Sequence, residues 1–230
     1  MTKTAIVTGA AGNLGQAVVK KFISEGYFVI GTILPTEQEQ HGFSSTSFEA
    51  VAVDLVQEEK AKQFVESIIN KYGTVDAAVL TAGGFAMGSI TTTTAADILQ
   101  QYKLNFETAY NIAQPLFAHM KQQQSGRIFF IGSKPGLSAA NSEGMVAYSL
   151  GKSLLFRLAE LMNHEAKGTD VVTSVLVPST IDTPQNRKAM PDADFSKWVL
   201  PEAIADVIAF HCSQAASIIR EPVIKVYGSS

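Results

Sequence analysis

Seven short apolar runs rich in β-branched residues alternate along this chain with longer amphipathic stretches, and that alternation restricts the fold more than any other feature. The runs are Thr4–Thr8, Tyr27–Ile33, Phe48–Val53, Ala77–Thr81, Arg127–Ile131, Val171–Val177 and Pro222–Val226. Between them lie Leu14–Glu25, Gln57–Tyr72, Ala95–Gln123, Val146–Lys167 and Pro201–Ala215. A strand that reads as an unbroken apolar run is covered on both faces, which is the environment of a parallel sheet. Parallel neighbours require crossovers, and helices of ten or more residues supply right-handed ones. The expected fold is α/β: a single doubly wound, Rossmann-type parallel sheet of about seven strands with helices on both faces. No linker, repeat or shift in composition divides residues 1–230, so one domain is expected.

Composition narrows the class of function. A net charge of −3 and a pI of about 5.8 give no general attraction to nucleic acid or to anionic membranes. No apolar run approaches the roughly 18 residues of a membrane span, and the opening Met1–Gly9 segment is too short and too weakly charged for a signal peptide. One cysteine, Cys212, rules out an internal disulfide, and the four histidines are scattered, so no metal site is expected. The composition leaves a reduced, cytoplasmic, metal-free globular protein.

Ligands of such folds bind outside the carboxyl ends of the strands. The first run leads directly into Thr8-Gly9-Ala10-Ala11-Gly12-Asn13-Leu14-Gly15 and then a helical pattern. Gly9, Gly12 and Gly15 suit a tight turn, close approach of a phosphate and helix–strand packing. The amides of the helix start, at Asn13 and Leu14, can receive a pyrophosphate without help from a lysine. A dinucleotide is therefore expected. The second run ends Ile30-Gly31-Thr32-Ile33-Leu34-Pro35, with neither a carboxylate for a ribose diol nor an arginine for a 2′-phosphate. NAD(H) and NADP(H) both remain open. Asp54, after the third run, fits two roles: accepting from an adenine amino group, or shaping the turn before the next helix.

Tyr148 and Lys152 stand four apart at the start of a helical stretch, so a phenol and an ammonium share one face. A cation beside the ring is expected to lower the phenol pKa and suit it to proton exchange with a carbonyl or alcohol oxygen. Gly151 between them is expected to let a flat ring pack close to the helix. Ser133 follows the fifth run, where its hydroxyl can hold the reacting oxygen. Ala82 and Gly83 follow the fourth run, where glycine permits close approach to a ribose. Asn105 is polar within the apolar part of a helix.

With these residues in place, the sequence resembles the short-chain dehydrogenase/reductase family over essentially its whole length. The resemblance rests on Thr8–Gly15, Ala82-Gly83, Asn105, Ser133, the Tyr148/Lys152 pair and Pro178 to Thr183. It implies a tetrad: Tyr148 as acid/base, Lys152 lowering its pKa and binding the nicotinamide ribose, Ser133 orienting substrate, and Asn105 holding a water that links Lys152 to solvent. Pro178, Ile181 and Thr183 match cofactor contacts. The chain departs from the usual pattern at Asn13, where glycine is common, at Leu80-Thr81 before Ala-Gly, and at Pro178-Ser179. Within the family it resembles the dihydropteridine reductases through Ala82–Phe85 and the long segment Asp182–Trp198, which implies a quinonoid dihydropterin substrate. Two residues oppose that transfer: those reductases carry alanine where this chain has Ser133, and an acidic residue where its second run ends without one.

Residues 179–200 lack clear periodicity and read as a substrate lid. Phe85, Met87, Met190 and Trp198 are expected to wall the pocket, with Tyr148 at the reacting end. Arg187 and Lys188 read as solvated loop charges, and Lys134 beside Ser133 is undecided. The Ala95–Gln123 and Val146–Arg157 stretches are more apolar than surface helices require, and the resemblance implies a homodimer or homotetramer through them. The competing class is a non-catalytic NAD(P)-binding sensor or structural subunit on the same fold.

Overall fold

Each of the seven apolar runs becomes a strand: the five central ones are largely buried on both faces, and the edge runs at 48–52 and 223–226 only partly. The computed structural model describes residues 2–37 and 45–229. The strands are β1 (Thr4–Thr8), β2 (Phe28–Ile33), β3 (Phe48–Ala52), β4 (Ala77–Leu80), β5 (Ser125–Ile131), β6 (Asp170–Pro178) and β7 (Val223–Val226). They form one parallel sheet in the order β3-β2-β1-β4-β5-β6-β7. In the register Ile6 faces Ile30 on one side and Ala78 on the other.

Side chains alternate across the sheet and feed two cores. Ile6 joins α2 (Glu58–Tyr72), α4 (Thr108–Gln123) and α6 (Val146–Glu165) through Phe64, Leu116 and Leu155. Ala5 and Val7 join α1 (Asn13–Ser24) and α8 (Pro201–His211) through Phe22 and Ile204. Phe22, Leu116, Leu155 and Ile204 are all fully buried, and each such side chain contributes about 1.5–3 kcal/mol. Among the described residues no helix is long and apolar enough to cross a membrane.

The helical pattern at 95–123 breaks into three parts: α3 (Ala95–Tyr102), a π-helical segment Lys103–Glu107, and α4. α3 starts in a capping box, with Thr94 Oγ1 accepting from the Asp97 amide and the Asp97 carboxylate accepting from the Thr94 amide. The wider π turn carries Asn105, which is buried; single π turns inside helices are frequent at functional sites. Two short helices fall where no periodicity is legible: α5 (Lys134–Leu137), and α7 (Pro184–Ala189) inside the 179–200 segment.

The chain runs outward from β1 to β2 and β3, then returns to β4 on the other side of β1. That reversal opens a crevice at the carboxyl ends of β1 and β4. Thr81 Oγ1 donates to the Thr8 carbonyl at 2.6 Å and the Ala82 amide donates to Thr8 Oγ1 at 3.2 Å, which ties the two strand ends together.

Candidate active site

The turn after β1 is built for close backbone approach. Gly9 has φ +63°, in the region that favours glycine. A Cβ on Gly15 would lie 2.2 Å from the Gly9 carbonyl oxygen, so only glycine lets α1 start against the turn. Gly12 is the N-cap of α1 and supplies no side-chain cap, and the first turn carries no acidic residue. The first-turn amides of Asn13, Leu14 and Gly15 are thus left to a ligand or to water, at the positive end of the helix dipole. A nicotinamide dinucleotide fits here: uncapped amides for its pyrophosphate, and at Gly83 a backbone without a side chain. Asp54 accepts from the Val56 amide at 3.2 Å and from Gln57 Nε2 at 2.7 Å, so its carboxylate already shapes the turn before α2.

Gly83 lies between two polar groups from different helices. A Cβ there would meet Asn105 Oδ1 at 2.7 Å and Lys152 Nζ at 3.3 Å. Asn105 accepts from the Gly84 amide at 3.2 Å and donates to the Gly84 carbonyl at 3.0 Å, to the Gln101 carbonyl at 3.2 Å and to Gln101 Oε1 at 3.0 Å. Its amide therefore braces the loop after β4. Gln101 is itself buried, and sequence reasoning missed it. The signal was there, a polar residue one turn before Asn105 in the same apolar stretch.

Ser133 caps α5, accepting from the Gly136 amide at 3.1 Å. Its hydroxyl also hydrogen-bonds the Tyr148 phenol. Lys152 is buried and donates to the Ile131 carbonyl at 2.8 Å, with Nζ 6.0 Å from the Tyr148 ring centroid. The expected lowering of the phenol pKa by Lys152 is not what the geometry produces. Burial pushes the Tyr148 phenol up, and the opposing influence comes from the Ser133 hydrogen bond. Lys152 is itself pushed down to about 8 by burial, because its ammonium is taken out of water with a backbone carbonyl as its hydrogen-bond partner. Gly151 also differs from expectation. A Cβ there would lie 2.8 Å from the Gln101 carbonyl oxygen, so the glycine admits the backbone of α3 and not a flat ligand.

Comparison with known proteins agrees with this geometry. Residues 3–194 match the family model for short chain dehydrogenases. This chain belongs to the short-chain dehydrogenase/reductase family. It is 24% identical to an acetoacetyl-CoA reductase of Acinetobacter sp., over 98% of this chain and 96% of that protein. It is also 24% identical to the 3-oxoacyl-[acyl-carrier-protein] reductase FabG of Thermotoga maritima, with the same coverage. The structure of ElxO with NADP bound superposes with a TM-score of 0.90 at 22% identity, covering 99% of this chain and 98% of that one. Membership makes the chain an NAD(P)-dependent oxidoreductase.

Around Tyr148 lie the residues expected to wall a pocket. Phe85 stands edge-on to Tyr148 with ring centroids 5.0 Å apart. Met87 borders a cavity of about 270 Å³ with Gly88, Thr93, Gln101 and Ala147. Phe85, Met87 and Met190 all stay substantially exposed, while Trp198 is half-buried. Trp198 packs on Phe195 at 4.7 Å within residues 179–200, while Phe85 packs on Tyr148, so the two aromatic pairs are separate contacts. Pro178 ends β6, Ile181 bridges to Val199, and Thr183 caps α7 by accepting from the Asn186 amide. Lys134 Nζ stacks 4.3 Å from the Tyr227 ring centroid. Arg187 is no free loop charge: its guanidinium makes a bidentate pair with Asp182, Nε at 2.6 Å and Nη2 at 2.7 Å.

Proposed function

We propose that this short-chain dehydrogenase/reductase reduces a small carbonyl or a quinonoid dihydropterin, with Tyr148 as the proton donor. The observation that carries the reading is the Ser133–Tyr148 hydrogen bond, set against Phe85 at the crevice beside Gly83. Bound nicotinamide supplies the hydride. The phenol, held protonated by burial, delivers a proton to the substrate atom that gains charge. For a carbonyl substrate, Ser133 holds that atom and the phenol in register. Lys152 presents its ammonium behind the ring, fixed by the Ile131 carbonyl, while Asn105 secures the glycine loop through which the ribose is approached.

The pterin rests on the resemblance of Asp182–Trp198 to the dihydropteridine reductases and on an aromatic ring, Phe85, beside Tyr148; the carbonyl is favoured by Ser133 and by relatives named as reductases of acetoacetyl-CoA and 3-oxoacyl-[acyl-carrier-protein]. The test is steady-state oxidation of NADH and NADPH in parallel, first with quinonoid dihydropterin and then with small ketones and aldehydes. Pterin turnover insensitive to Ser133→Ala is the expected result for the pterin. Turnover of ketones only, lost in Ser133→Ala, would assign a carbonyl substrate. The same measurement decides between the two cofactors, since the end of β2 carries no charged discriminator among Thr32, Ile33 and Leu34.

We also infer a homodimer or homotetramer formed through the 95–123 and 146–157 stretches, and a cytoplasmic setting. Leu150, Leu154 and Leu161 are 40–54% exposed on α6, and Tyr102, Phe106 and Tyr110 stack in a ladder at 5.4 and 5.9 Å. An exposed apolar face of this kind favours burial against a second copy. Light scattering should give at least twice the 24.6 kDa chain mass, and a monomer at micromolar concentration would overturn the assembly. Cys212 is half-buried, and loss of water around its thiol pushes it up to about 12, so it carries little thiolate at neutral pH.

A further inference from the structure

The 179–200 segment is stapled to itself around one side chain. At its base the Val199 amide donates to the Thr180 carbonyl at 2.9 Å and the Asp182 amide donates to the Val199 carbonyl at 2.8 Å, so the two ends are zipped together. Asn186 Nδ2 donates to the Ile181 carbonyl at 2.8 Å and fastens α7 to the same base. Arg187 then links three parts. Its guanidinium takes both oxygens of Asp182, whose side chain is only 9% exposed. The same guanidinium lies 4.7 Å from the Phe195 ring centroid, and Phe195 carries Trp198. Asp182 sits between Ile181 and Thr183, and with Arg187 it borders a cavity of about 330 Å³ shared with Asn13 and Gln16 of α1.

We infer that Arg187 is a positioning residue that joins the cofactor-side segment at 181–183 to the Phe195–Trp198 pair, so that the lid moves as one preorganised piece whose position answers to the cofactor. This rests on the proposed roles of Ile181 and Thr183 at the cofactor and of 179–200 as a lid. A planar, bidentate guanidinium with an aromatic face against it cannot be replaced by a lysine ammonium, which has neither the fork nor the stacking plane. The coupling follows because a shift of the 181–183 segment carries Asp182 with it, Asp182 carries Arg187, and Arg187 carries the aromatic pair.

Trp198 is the only tryptophan in the chain, so its emission reports on the lid alone and needs neither substrate nor turnover. Acrylamide quenching of Trp198 should rise about twofold or more in Arg187→Met, as expected for a locally opened segment. Arg187→Lys should behave like Arg187→Met, and Asp182→Asn should give a smaller rise. Circular dichroism and the melting temperature should stay near wild type, because the pair is confined to a surface segment. Adding NADH or NADPH alone should reduce quenching in the wild type, and that response should be lost in Arg187→Met at saturating cofactor. With an accepted substrate, KM should rise about tenfold with little change in kcat, the pattern of lost binding without lost chemistry. Wild-type quenching in both Arg187→Met and Asp182→Asn, or a wild-type Trp198 that ignores bound cofactor, would overturn the inference. Absence of turnover with every substrate, with the quenching differences intact, would instead overturn the proposed reaction and leave the stapled lid in place.

Discussion

Replacing Tyr148 by phenylalanine should lower kcat by about 10²–10⁴, the usual worth of a positioned general acid, while cofactor affinity stays within a few fold. The ring is held by contacts that phenylalanine keeps: the edge-on packing of Phe85 and the position in the first turn of α6. What is lost is one oxygen, and with it the partner of the Ser133 hydroxyl. Ser133 still accepts from Gly136, so α5 keeps its cap. The variant should therefore fold and bind, and fluorescence titration with NADH or NADPH is the control. The direction of the phenol pKa adds a second test. Burial holds Tyr148 above the ordinary tyrosine value, so the wild type should reduce substrate across neutral pH with its acid fully protonated, and the reverse oxidation should speed up as pH rises. A Tyr148→Phe enzyme that retained more than about a tenth of wild-type kcat would remove the phenol from the chemistry.

The strands were legible because a parallel sheet covered on both faces leaves its apolar runs uninterrupted, and Thr4–Thr8 as read is β1 as found. The glycine turn was legible for a related reason: a positive φ at Gly9 and a carbonyl 2.2 Å from any Cβ on Gly15 leave no choice of residue. The Tyr148/Lys152 spacing was legible because helical periodicity places residues four apart on one face. What stayed hidden depends on tertiary neighbours that no local pattern encodes. Gly151 is small for the sake of the Gln101 carbonyl on another helix. The direction of the Tyr148 pKa is set by how much water the fold removes, and sequence shows only that a lysine stands nearby. Arg187 reads as a solvated charge until α7 and Phe195 are folded around it. A short loop with an arginine and an aspartate five apart is common, and only the closed base at Thr180 and Val199 makes the pair a fixed one.

Lys152→Met should be inactive and more stable at the same time. The wild-type ammonium is buried, and its descent from 10.5 to about 8 records the cost of keeping it there. At about 1.4 kcal/mol for each tenfold step, that cost is about 3 kcal/mol at pH 7. Methionine fills most of the same stem volume without the charge. It leaves the Ile131 carbonyl without its donor, which gives back about 1 kcal/mol. The expected net gain is about 2 kcal/mol in denaturant unfolding at neutral pH. The pH dependence fixes the sign. Between about 8 and 10.5 the unfolded wild type binds a proton at Lys152 that the folded state has lost, so wild-type stability rises with pH through that window. The methionine variant lacks this rise, so the two stabilities should converge towards pH 10. Tyr148 acts in the opposite sense, since the folded state keeps a proton that the unfolded state sheds above 10, and it does so in both proteins. Comparing them below pH 10 therefore isolates the lysine. A variant less stable than wild type at pH 7 would show that the ammonium earns its place structurally. The expected opposite result means that the fold carries a destabilising buried charge beside the tyrosine, at the place where we propose that it serves catalysis.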